Sequence, residues 1–132
     1  MSSMTATNLD FEVFTQKGEK KSLTLEFDGG EEVIASLKQA LLEHGVSDGR
    51  VKRAEGNLKN ASVAYFSGNE YRNKTFPIAK VLKGSGQFKK TKEGYFGDLK
   101  TVIPNGNDRI VCSLLKAEAE PGFVVEVEFL QF

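Results

Sequence analysis

The chain of 132 residues has no tryptophan, one histidine, one cysteine and three prolines. A single cysteine, Cys112, excludes an internal disulfide. A single histidine, His44, excludes any site built on several imidazoles within one chain. No apolar run approaches the roughly 20 residues that a membrane-crossing helix needs. The first residues, MSSMTATNLDFEVF, carry no basic segment ahead of an apolar one, so no signal peptide is expected. A reducing, cytoplasmic setting follows as the expectation. Excess charge of one sign is also missing, with 18 basic and 18 acidic residues. The balance is uneven along the chain: residues 1–49 carry 4 basic and 9 acidic groups, residues 50–100 carry 12 and 4, and residues 101–132 carry 2 and 5. A basic middle between acidic ends reads either as a surface for phosphates or DNA, or as strands whose opposed faces cancel.

What is present is one amphipathic helix followed by strand patterns. The length fits a single domain over residues 1–132, large enough to bury a core without metal or disulfide, with residues 1–8 frayed. Phe11–Phe14 reads as a short strand and Leu23–Phe27 as a half-buried one. Asp28 with Glu31 three residues on resembles a capping box. Val33, Ile34, Leu37 and Leu41 then form one apolar stripe, and Gly45 is placed to end the helix, predicted over Glu31–His44. Beyond it, strands are predicted at Arg50–Glu55 and Ala61–Phe66 around a Gly56-Asn57 turn. A polar loop follows at Ser67–Asn73. Further strands are expected at Ile78–Phe88, Tyr95–Ile103, Ile110–Leu115 and Phe123–Phe132, with turns at Lys89–Gly94 and Pro104–Asp108. In the last strand Phe123, Val125, Val127 and Phe129 share one face and Glu126 and Glu128 the other. The fold class is therefore α+β: a mixed, mainly antiparallel sheet of six to eight strands packed on one main helix.

The order of these elements resembles the plants-and-prokaryotes-conserved (PPC) domain. The residues that carry the likeness are the strand and helix start LTLEFDGGEEVIASL, the helix end HGV, and Gly56-Asn57-Leu58. They continue with the strand Ala61–Phe66 and the segment Ala79–Gly86. The resemblance covers about residues 22–132. It implies the family's sandwich-like sheet with one helix, a trimeric assembly and an association with DNA. Many prokaryotic members carry a histidine pair and a further histidine associated with a metal. The matching positions here are Asp98, Lys100 and Ser113, which make no soft imidazole site, so no zinc and no cofactor is expected. The R-G-R-P core of an AT-hook is absent, so the plant mode of minor-groove binding is not encoded.

Four groups of residues invite a chemical reading. Lys89, Lys90 and Lys92 beside Tyr95 and Phe96 read as a phosphate-contacting, base-stacking cluster, or as a solvated hairpin turn with its rings in the core. Arg50 and Lys52 form a second basic patch near Lys59, with Arg53 on the opposite face by simple alternation. Asp98, Lys100 and Ser113 read as an inter-subunit pocket or as a plain surface ion pair. Gly84-Ser-Gly86 lacks the third glycine and following helix of a phosphate loop, and reads as a β-bulge. His44 is expected to cap the helix C-terminus and Cys112 to be a buried, inert thiol. The Asn60 and Asn73 sequons are chance matches without a secretory signal. No activated nucleophile or cofactor fingerprint is visible, so an enzyme is not expected. Two functions stand: an oligomeric DNA-associated or regulatory domain, and a ligand-binding or structural trimer with its pocket at Asp98, Lys100 and Ser113.

Overall fold

The longest element is a 20-residue strand, Asp48–Ser67, that runs straight through the expected Gly56-Asn57 turn. The computed structural model describes residues 18–131, so the Phe11–Phe14 strand and the fraying of residues 1–8, both expected from the sequence, lie outside the described residues. In chain order the elements are β1 (Glu19–Glu26), α1 (Val33–Glu43), β2 (Asp48–Ser67), β3 (Glu70–Val81), β4 (Lys83–Thr91), β5 (Gly94–Asn105), β6 (Asp108–Ala119) and β7 (Val124–Gln131).

The turn chemistry at Gly56 is real but serves a different purpose. Gly56 has φ +131°, and a Cβ there would sit 2.8 Å from the Phe123 Cα. Only glycine tolerates both the dihedral and the approach. At this point β2 changes partners on both edges. Before it, β2 pairs with β4 and β7; after it, with β3 and β6. Pairing on either side holds the chain extended where local chemistry alone signals a reversal. Asn60, at φ +51°, marks a second irregularity, where the β2–β6 register shifts between Lys59 and Ser62.

Every pairing among the described residues is antiparallel, so the sheet is not mixed. The reason lies in the connections: two-residue turns at Gly68-Asn69, Lys92-Glu93 and Gly106-Asn107 join consecutive strands, and such turns admit no parallel crossover. The Gly68-Asn69 turn replaces the expected Ser67–Asn73 loop, and polar residues from Glu70 onward already belong to β3. The expected Ile78–Phe88 strand is two, broken at Leu82, where pairing passes from one half of β2 to the other. The sheet order is β1-β7-β2-β4-β5-β6, with β3 on β2. Because β2 also pairs with β6, strands β2, β4, β5 and β6 close into a ring.

The helix begins later than expected. Asp28 and Glu31 do pair, the Glu31 carboxylate accepting from the Asp28 N–H at 2.9 Å, but they close a turn ahead of the helix. Glu32 is the N-cap and accepts from the Ala35 N–H at 2.8 Å. Its other carboxylate oxygen accepts from the Ala117 N–H of β6 at 3.0 Å, which ties the helix start to the sheet. At the other end, Val46 N–H donates to the Leu41 carbonyl and Gly45 N–H to Leu42, with Gly45 at φ +65°. This is a Schellman ending. His44 is the C-cap, its Nδ1 3.0 Å from the Ala40 carbonyl. Val33, Leu37 and Leu41 are fully buried and belong to one core with Val51, Leu58 and Val63 of β2, Leu99 and Ile103 of β5, and Val125 and Val127 of β7.

Candidate functional site

Alternation on the ring strands sends one set of side chains into this core and the other to an outer face. Arg50 of β2 lies opposite Gln87 of β4, and Gln87 lies opposite Asp98 of β5. Lys89 of β4 lies directly opposite Phe96 of β5, and Lys100 of β5 lies between Ser85 of β4 and Ser113 of β6. Arg50, Lys52, Gln87, Lys89, Phe96 and Lys100 line a groove of about 730 Å³ on this face.

The basic residues singled out by sequence divide. Arg50, Lys52 and Lys89 meet in the groove. Lys89 and Lys90 are not in a turn: β4 extends to Thr91, so the two project to opposite faces, and only Lys92 sits in the turn. Lys59 lies on the far half of β2, opposite Ile78. Arg53 is not opposite Arg50. A register shift between Val51 and Arg53 against β7 breaks the alternation and brings Arg53 opposite Glu126, on the outer face. Its guanidinium is held by Glu55 and by Glu126, hydrogen bonds that raise its pKa. Lys52 is 3.7 Å from Glu128. Among the described residues, Arg50 and Lys89 have no carboxylate within ion-pair distance. Glu128 of β7 stands directly across from Arg50, and Asp48 of β2 directly across from Lys89, but neither closes an ion pair with them.

The two aromatic residues of the cluster also part. Tyr95 is half-buried against the core, and its hydroxyl donates to the Val46 carbonyl at 2.5 Å. Burial raises its pKa. Phe96, one residue on, is 77% exposed beside Lys89.

Asp98, Lys100 and Ser113 do come together. The Asp98 carboxylate accepts from the Ser113 hydroxyl at 3.1 Å and pairs with the Lys100 ammonium at 3.0 Å. The hydrogen bond and charge of Asp98 raise the Lys100 pKa. This donor set does not fit a transition-metal ion: its one carboxylate is already neutralised by an ammonium. Cys112 is buried between the strands, 3.4 Å from the Thr101 hydroxyl, and burial pushes its thiol pKa up, away from nucleophile chemistry.

Gly84 and Gly86 form no bulge, since the β4–β5 register is regular through both. They are required by close approach instead. A Cβ on Gly86 would come 2.0 Å from the Asp98 carbonyl oxygen, and one on Gly84 would come 2.5 Å from the Ala54 Cβ. The sequence could not show this, because the neighbouring strands are remote in the chain. A further feature went unread in the sequence. Phe66 and Tyr71 stack edge-to-face at the β2–β3 turn, and with Val111 and Leu115 of β6 they leave an exposed apolar area on the outer face.

No protein-family model matches the chain, and no curated protein matches it in sequence. Solved structures do match. A metal-containing protein of Archaeoglobus fulgidus superposes with a TM-score of 0.72 at 21% identity, over 84% of this chain and 80% of that one. A plant- and prokaryote-conserved (PPC) protein of Pyrococcus horikoshii gives 0.70 at 16%, over 89% and 85%. A protein of Ralstonia eutropha JMP134, provisionally named as DNA-binding, gives 0.62 at 12%, over 88% and 79%. The chain has the PPC-like fold.

Proposed function

We propose that this chain is a non-enzymatic, self-associating domain that binds DNA through the groove between β2, β4 and β5. The observation that carries the reading is the placement of Arg50 and Lys89 in one groove with neither engaged in an ion pair, although Glu128 and Asp48 stand across from them. Cations so placed neutralise phosphates and release counterions, which gives affinity without sequence preference. The provisional DNA-binding name of the Ralstonia structure adds support at the level of the fold. Affinity for mixed-sequence DNA is expected to fall steeply between about 50 and 200 mM salt. The double variant Arg50→Gln/Lys89→Gln is expected to flatten the log–log salt slope by about 1.4–1.8. An unchanged slope would move the binding face elsewhere. Absence of binding to duplex and single strand alike, even at low salt, would end the DNA reading.

Self-association is proposed through the exposed apolar area. Phe66, Tyr71, Val111 and Leu115 are 50–74% exposed on one face, beside the small side chains of Ala64 and Ser113. A second copy would cover them, and the trimer implied by the PPC resemblance is the proposed assembly. Light scattering is expected to give three copies, and Phe66→Glu/Tyr71→Glu to give one. A monomeric unmodified chain would overturn this part.

A further inference from the structure

Phe96 stands out against the rest of the groove. Its ring is the most exposed large apolar side chain among the described residues, at 77%. It does not share the core with its neighbour Tyr95, and it stands directly across from Lys89 on the adjacent strand. Side chains in such cross-strand pairs have Cβ atoms about 4.5–5.5 Å apart. The β2 residue opposite Lys89 is Asp48, whose carboxylate accepts from the Gln87 amide at 2.8 Å and makes no ion pair with Lys89, and Arg50 stands two residues along, within diagonal reach on the same face. The groove floor beside the ring is bare backbone at Gly97. The groove, of about 730 Å³, is open along the sheet and not enclosed.

We infer that the groove takes an unpaired nucleotide: the base stacks on Phe96, and the phosphates on either side are held by Lys89 and Arg50. This rests on the reading of the groove as the DNA-facing site. The physical argument is access. In a duplex both faces of each base are covered by its neighbours, so a protein ring has no face to stack on. An unpaired base offers its face, and stacking on an aromatic ring is tolerant of sequence because every base has one. A groove with cations alone would not distinguish duplex from single strand in this way; the ring does.

The test compares labelled (dT)15 with a 15-base-pair duplex of mixed sequence, at matched salt concentrations between about 50 and 200 mM, by fluorescence anisotropy. The single strand is expected to bind at least about tenfold more tightly. Phe96→Ala is expected to remove that preference while leaving the salt slope unchanged. The ring is exposed, so its loss leaves the fold intact, and a circular dichroism melt of the variant checks this. Lys89→Gln is expected to do the reverse, lowering the slope and keeping the preference. Millimolar thymidine monophosphate serves as competitor: displacement of (dT)15 assigns the site to a free nucleotide, and no displacement assigns it to a continuous strand. Equal or tighter binding of the duplex overturns the inference and leaves DNA binding standing. A preference that survives Phe96→Ala also overturns it. Failure of both nucleic acids to bind the unmodified chain at low salt removes the underlying reading as well.

Discussion

Phe123→Ala is expected to cost about 3–5 kcal/mol of unfolding free energy, read as a lower urea midpoint at unchanged slope. Phe123 is fully buried. Its ring meets Phe27 edge-on at 5.6 Å, and its backbone packs against Gly56 so closely that no Cβ fits there. It therefore closes three things at once: the end of β1, the point at which β2 changes partners and the entry to β7. Its N–H donates to Glu120 and its carbonyl accepts from Phe27, so the backbone around it is fixed and has little freedom to collapse into the cavity. A site that cannot relax lies at the upper end of the cost range. A loss below about 1 kcal/mol would mean that the Phe27–Phe123 contact is not a core contact.

Leu37→Ala is expected to cost about 2–5 kcal/mol in the same assay, with Leu41→Ala in the same range. Both side chains are fully buried. Leu37 lies in the middle of the apolar stripe, so its removal opens the space between helix and core without touching either cap. A helix of 11 residues is too short to persist in water on its own propensity, and its stability comes from burying this stripe. The helical signal is expected to melt with the rest of the chain. Separate loss of helix at low denaturant would show that the stripe is not coupled to the sheet. With a whole domain typically stable by about 5–15 kcal/mol, either substitution removes a large share.

The same residues show how far a sequence can be read. The helix was legible because its information is local: the Val33–Leu37–Leu41 spacing, and Gly45 as the left-handed stop. Its start was displaced by a few residues because Glu31 and Glu32 can both accept backbone N–H groups, and the bond from Ala117 selects Glu32. The break in β2 was wrongly expected because Gly56-Asn57 has turn chemistry, and the partners that keep the strand extended come from remote parts of the chain. The outer face was half legible. Alternation placed Arg50 and Lys52 together, but the bulge that turns Arg53 to join them is set by β7. The split of Lys89 from Lys90, and of Phe96 from Tyr95, needs only the period of a strand once the residues are known to be extended. Reading Lys89–Gly94 as a turn concealed it.

A strand that carries partners on both edges along both of its halves has a consequence during synthesis. Once β3 and β4 have left the ribosome, one edge of β2 is satisfied. The other edge stays open until β6 and β7 emerge, on the order of seconds later at about 5–20 residues per second. Throughout that interval the nascent chain presents a long run of unpaired N–H and C=O groups, the template on which other chains add strands. Gly56 and Asn60 interrupt that edge with backbone dihedrals that a flat intermolecular strand does not match. The irregular dihedrals at which β2 changes partners thus also shorten the stretch on which a neighbouring unfinished chain could pair.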